Sequence, residues 1–177
     1  MKTFDQIIDQ RRSVRSYHVT PVEKEKLTAI LEAARRAPSA CNAQPWRIVA
    51  VIDSALRAEV LKKGMGVVVP NRWAQAAPVI FVVCSDRSFF THHLAERVQG
   101  VQYHLIDIGI AMEHMALKAA ELDLGTCYIG WFNEKPIKKI LSLPSSWKVE
   151  CLMTLGYPET LPDPAPRKSL DEITLIR

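Results

Sequence analysis

Leu105, Ile108, Met112, Met115, Ala119 and Leu122 step by three and four, so one apolar seam runs unbroken along a single helix. No other feature restricts the fold as much. Ile106 and Ile110 add apolar surface beside the seam, which predicts a helix covered on two faces, by a sheet and either by more of the same core or by a second subunit. Gly125 is placed to end it as a left-handed cap. Strands for the sheet come from runs 46–52, 78–83, 126–130 and 149–155, rich in β-branched, aromatic and other apolar residues.

Shorter helices alternate with these runs. Phe4, Ile7 and Ile8 make a short stripe that stops at Arg11, and the run from Arg11 to Arg15 reads as an extended segment or loop. Thr20-Pro21-Val22-Glu23 reads as a helix start, with Thr20 as N-cap, Pro21 at the first helical position and Glu23 reaching back. Leu27, Ile30, Leu31 and Ala34 carry that helix to Ala37, where Pro38 disfavours helical geometry in the residue before it. Residues 53–63 are predicted helical, and Asn133 is placed to cap a helix through Ile140. Residues 64–75 show no clear period. After Tyr157 the chain carries Pro158, Pro162, Pro164 and Pro166 ahead of Leu170-Asp171-Glu172-Ile173, a tail that needs a surface to lie against.

A chain of 177 residues with 48% apolar content can bury one core without staples, so a single domain over 1–177 is expected. Cys41, Cys84, Cys127 and Cys151 form no C-x-x-C pair, which fits reduced thiols and neither a zinc knuckle nor a thioredoxin-type motif. The first residues lack an apolar leader, and no apolar run approaches the ~20 residues that cross a bilayer. The expectation is a cytoplasmic protein with no membrane association. The formal charge is +4, and the basic residues fall in separate small groups, at Arg11, Arg12 and Arg15, then Arg35 and Arg36, Lys138 and Lys139, and Arg167 and Lys168. Such groups suit a compact anion such as a phosphate monoester better than a nucleic acid.

Several chemistries lack their motif: there is no G-x-G-x-x-G, P-loop, G-x-S-x-G or H-E-x-x-H. His92-His93 has no neighbour at ligand spacing, so no metal is expected. Two runs carry positive signals. In Arg11-Arg12-Ser13-Val14-Arg15 the guanidinium forks can hold a phosphate in bidentate fashion, although a solvated basic loop explains such a run as well. In the run from Ala37 to Trp46, Asn42 and Gln44 offer donors and acceptors, as reading a ring edge requires, although a turn has the same composition.

These two runs, with Asp107-Ile108-Gly109, the stretch from Leu124 to Phe132, Leu155-Gly156-Tyr157-Pro158 and Pro166-Arg167-Lys168, resemble the signature of the nitroreductase family of FMN enzymes over nearly the whole chain. The resemblance implies an α+β fold, with a mixed, mostly antiparallel central sheet flanked by helices. It also implies an intertwined homodimer with two FMN sites at the interface, the tail 157–177 packing on the partner subunit. Arg11, Arg12 and Ser13 would meet the phosphate and ribityl chain, with Arg167 and Lys168 completing the pocket. Arg15 would sit near the pyrimidine edge and raise the flavin potential. Pro38, Ser39, Ala40, Asn42 and Gln44 would come from the partner.

Around Tyr128, Ile129 and Gly130 the family presents a backbone N–H to flavin N5, and Gly130 is the expected donor. Some members carry a glutamate where this chain has Gly130-Trp131, and Trp131 would wall the substrate pocket. The implied activity is ping-pong: NAD(P)H passes hydride to flavin N5, then a small electron-poor acceptor, a nitroaromatic or quinone, takes it, with no side-chain nucleophile. A visiting nicotinamide needs no dinucleotide fold of its own. Cys41 is expected to be a small buried thiol. Residues 64–75 and 85–100, with Arg72, Phe89 and Phe90, are candidates for shaping substrate entry. Two other readings remain: the same fold performing dehalogenation, heterocycle oxidation or flavin breakdown, and a non-catalytic FMN-binding or basic nucleic-acid-binding module.

Overall fold

Four separate stretches of the chain pair into one antiparallel sheet of order β1-β2-β4-β3: β1 (Trp46–Val51), β2 (Val79–Asp86), β3 (Gly125–Ile129) and β4 (Trp147–Gly156). The computed structural model describes residues 2–65, 71–86 and 100–177. His92-His93, Phe89 and Phe90 lie outside the described residues. Because successive side chains of a strand point to opposite faces, β2 feeds two cores. Phe81 and Val83 meet Ile30 and Ala34 of α2 (Lys24–Arg35) and Ile108, Met112, Met115 and Ala119 of α4 (Tyr103–Glu121). Ile80, Val82 and Cys84 meet Val60 and Leu61 of α3 (Ser54–Gly64) and Ile137 of α5 (Glu134–Ile140), with Val14 and Tyr17 closing the layer. The result is the expected α+β sheet with helices on both faces.

α4 is the seam helix, 19 residues long, and at 1.5 Å per residue it spans about 28 Å. Its buried seam begins at Ile108; Leu105 and Ile106 are 41% and 51% exposed. Phe4 and Ile8 of α1 (Phe4–Gln10), a helix that packs against α4, are also exposed. Among the described residues no helix is long and apolar enough to cross a membrane.

Two helix boundaries differ from expectation. Thr20 does not cap α2; the N-cap is Glu23, with no side-chain cap bond. The Glu23 carboxylate instead accepts from the Tyr157 hydroxyl at 2.7 and 2.8 Å, which uses the group that would have reached back to Thr20. Gly125 does not supply the left-handed residue after α4, a role taken by Asp123 at φ 61°. Gly125 opens β3, where a Cβ would lie 2.5 Å from Cγ2 of Val14, so the glycine serves close approach.

That approach joins the N-terminal segment to the sheet. Val14 N–H donates to the Thr126 carbonyl at 2.9 Å, and Ser13 makes a parallel bridge to Thr126 along the outer edge of β3. Tyr17 bridges Pro158, His18 N–H donates to Tyr157 O and Glu159 N–H donates to Ser16 O. The tail therefore starts against its own chain, and beyond Pro158 every residue is exposed, including α6 (Leu170–Ile173).

Candidate functional site

The arginine run is held by Val14 within it and Tyr17 just after it. Val14 and Tyr17 are buried beneath β3 and β4, and the Tyr17 hydroxyl lies 2.6 Å from both the Val14 carbonyl and Thr154 Oγ1. Burial pushes the Tyr17 hydroxyl well above the usual tyrosine range, so it stays a neutral donor. With Val14 inward, Ser13 and Arg15 stand exposed on the other side of the extended segment.

Arg11, Arg12, Ser13 and Arg15 line one cavity of about 200 Å³, and its far wall is the returning tail, through Pro162, Asp163, Ala165 and Arg167. Residues more than 150 positions apart thus converge, as expected; Lys168 does not line the cavity. Four guanidinium groups face one carboxylate, Asp163. Arg11 Nε also lies 3.6 Å from Glu113 of α4, and Arg15 sits over the Trp73 ring at 5.7 Å. Arg12 Nη1 donates to the Arg11 carbonyl at 3.0 Å, while its Nε is buried without a hydrogen-bond partner. A buried unpaired guanidinium N–H is costly, and a cavity of this size and charge fits a phosphate dianion.

The turn that precedes β1 lies at the opposite sheet edge. β1 and β3 are the two edge strands, separated by three inter-strand spacings, ~14 Å. Pro38, Ser39, Ala40, Asn42 and Gln44 are therefore not gathered around the arginine cavity of the same chain. The turn is tightly wound: Cys41, Asn42 and Gln44 all have positive φ, at 52°, 53° and 44°. Ser39 Oγ accepts from Gln44 N–H at 3.0 Å, and the Gln44 amide donates to the carbonyl and side-chain oxygens of Asn42. Cys41 is exposed here and not buried, because its left-handed backbone turns the side chain out of the core.

The end of β3 carries the third group. Ile129 is a core residue, so only its backbone can serve a site, whereas Trp131 is exposed and Tyr128 is largely covered, at 37% exposure. Tyr128 Oη donates to Glu113 at 3.1 Å; burial, then the Glu113 charge, push this hydroxyl up and keep it protonated. A Cβ at Gly130 would meet nothing within 4 Å, so the backbone there faces open space.

The nitroreductase family model matches residues 8–74 and 66–157, which include the arginine run, the wound turn and the Tyr128–Gly130 stretch. The chain belongs to the nitroreductase family. It is 31% identical to a Thermus thermophilus NADH dehydrogenase, over 95% of this chain and 93% of that protein. The solved FMN-dependent nitroreductase of Clostridium difficile superposes with a TM-score of 0.79 at 27% identity, covering 98% of each chain. The iodotyrosine deiodinase of Thermotoga neapolitana is 24% identical over 98% of this chain and 96% of its own.

Sequence reasoning gave no role to three residues of this family member's site region: Glu113, which touches both Arg11 and Tyr128, Trp73 under Arg15, and Asp107 beside Ala40, although Asp107 stands in the Asp107-Ile108-Gly109 match. Asp107 alone carried a signal, as a charged residue inside an apolar helical seam.

Proposed function

We propose that this chain is an FMN-dependent oxidoreductase that takes electrons from NAD(P)H and passes them, by a ping-pong mechanism, to small electron-poor acceptors such as nitroaromatics and quinones. The observation that carries this is the cavity lined by Arg11, Arg12, Ser13, Arg15 and Arg167, in a chain of this family. FMN, when bound, supplies the two-electron exchange at flavin N5. Arg11, Arg12, Ser13 and Arg167 would hold its phosphate, and Arg15 would place positive charge by the ring, favouring the reduced anion. The Gly130 N–H would donate to N5, and Trp131 would wall the acceptor's space.

The wound turn at the other edge would complete the site of a second copy, through the amides of Asn42 and Gln44. Phe4 and Ile8 of α1 and Leu105 and Ile106 of α4 are exposed apolar residues that a second copy would cover, and the tail beyond Arg167 would lie on the partner. The working unit is then a homodimer.

The deiodinase relative supports a second reading, in which the same site removes halogen from an aromatic substrate. An anaerobic absorbance titration tests the first. The protein should bind FMN, and its flavin bands should bleach with NADH or NADPH and return with a quinone or nitroaromatic. Bound flavin that no nicotinamide bleaches favours the second reading, and a chain that binds no FMN removes both.

A further inference from the structure

Asp107, on the second turn of α4, is a charged residue only 3% exposed. Its neighbours Ile108 and Ala111 belong to the core. Oδ1 accepts from the Ala40 N–H at 3.0 Å, across 67 residues, and Oδ2 is buried with no partner. Ala40 opens the wound turn. From Ser39 to Ala43 the other described hydrogen bonds stay within the turn or join it to Gln44, so the Asp107 bond ties this segment to another element.

We infer that Asp107 is a positioning residue: its carboxylate clamps the strained turn 39–44 so that the Asn42 and Gln44 amides are preset for the flavin. The inference rests on the flavin reading of this site. Three non-glycine residues in the left-handed region persist only where the surroundings over-determine them. The internal bonds of the turn fix its shape, while Asp107 fixes that shape in space relative to α4. A carboxylate suits the task because a charged acceptor binds a backbone N–H more strongly than a neutral one.

The test compares Asp107→Ala with Asp107→Asn, which keeps an acceptor of the same shape. Two readouts are needed: amide hydrogen exchange of residues 39–44 in the FMN-free protein, and FMN affinity by fluorescence titration. Asp107→Ala should speed exchange in that turn and weaken FMN about tenfold, while Asp107→Asn restores both to within about twofold. Wild-type exchange and FMN affinity in Asp107→Ala would overturn the inference, as would a lowered melting temperature with neither readout changed.

If Asp107→Ala does not fold, Ala40→Pro removes the same bond from its donor side. Ser39 is already extended, as a residue before proline must be, and Ala40 opens a 3₁₀ turn. The same loosening at 41–44, with weaker FMN binding, supports the clamp; its absence overturns it. Wild-type protein that binds no FMN sinks the flavin reading, and the exchange rates then decide the clamp by themselves.

Discussion

The two edges of the sheet present opposite surfaces. At the β3 edge, Arg11 to Arg15 are pinned by Val14, Tyr17 and Thr126 and roofed by the tail, so the cavity is assembled within one chain. At the β1 edge, the turn 38–45 is equally ordered by its own hydrogen bonds, yet its amides face outward and close no cavity with the arginines. The first edge carries an arginine-lined cavity and the second an ordered turn exposed at the surface. Both make sense together if each copy lends its turn to the other's pocket.

The largest expected effect is at the arginine edge. Arg12→Ala should weaken FMN about a hundredfold, the loss of charge-assisted bonds to phosphate, read by flavin fluorescence titration. Arg11→Ala should cost less, since Glu113 already neutralises part of its charge; equal losses would break the ranking of the two. Gly125→Ala comes next, because its Cβ would press on Val14: destabilisation of about 1–3 kcal/mol is expected in denaturant unfolding, relieved by adding Val14→Ala.

Gly130→Val should leave stability unchanged within about 0.5 kcal/mol, there being nothing for it to strike, while slowing turnover. Normal turnover would show that nothing occupies that space during the reaction. The smallest effect is in pH. Burial pushes Cys151 up to about 11 and Cys84 up to about 12, so their thiols ionise more readily in the unfolded chain. Their contribution is whole below the ordinary thiol range and fades as pH rises through about 11 toward 12, so the urea midpoint should fall over that interval.

Much of this was legible from single residues. The step of three and four from Ile108 to Ala119 marked the buried face of α4, and the arginines singled out with Arg167 line one cavity although the sequence places them far apart. What was illegible depended on contacts between distant elements. Thr20 looked like an N-cap because nothing local announces that Tyr157 will take the Glu23 carboxylate. Gly125 looked like a cap because its real constraint, Val14, lies 111 positions earlier. Leu105 fits the seam by spacing alone, but the seam continues past the point where the sheet covers it.

Subunit mixing tests the shared site most directly. Arg12→Ala and the double variant Asn42→Ala/Gln44→Ala are each expected to bind FMN poorly as homodimers. Unfolded and refolded together, half the dimers should be mixed, each with one site that takes both halves from unaltered residues, so about a quarter of all sites should recover wild-type FMN affinity. Recovery near that fraction is the predicted result. FMN binding no greater than the average of the two separate variants would contradict a site built from both edges of two copies.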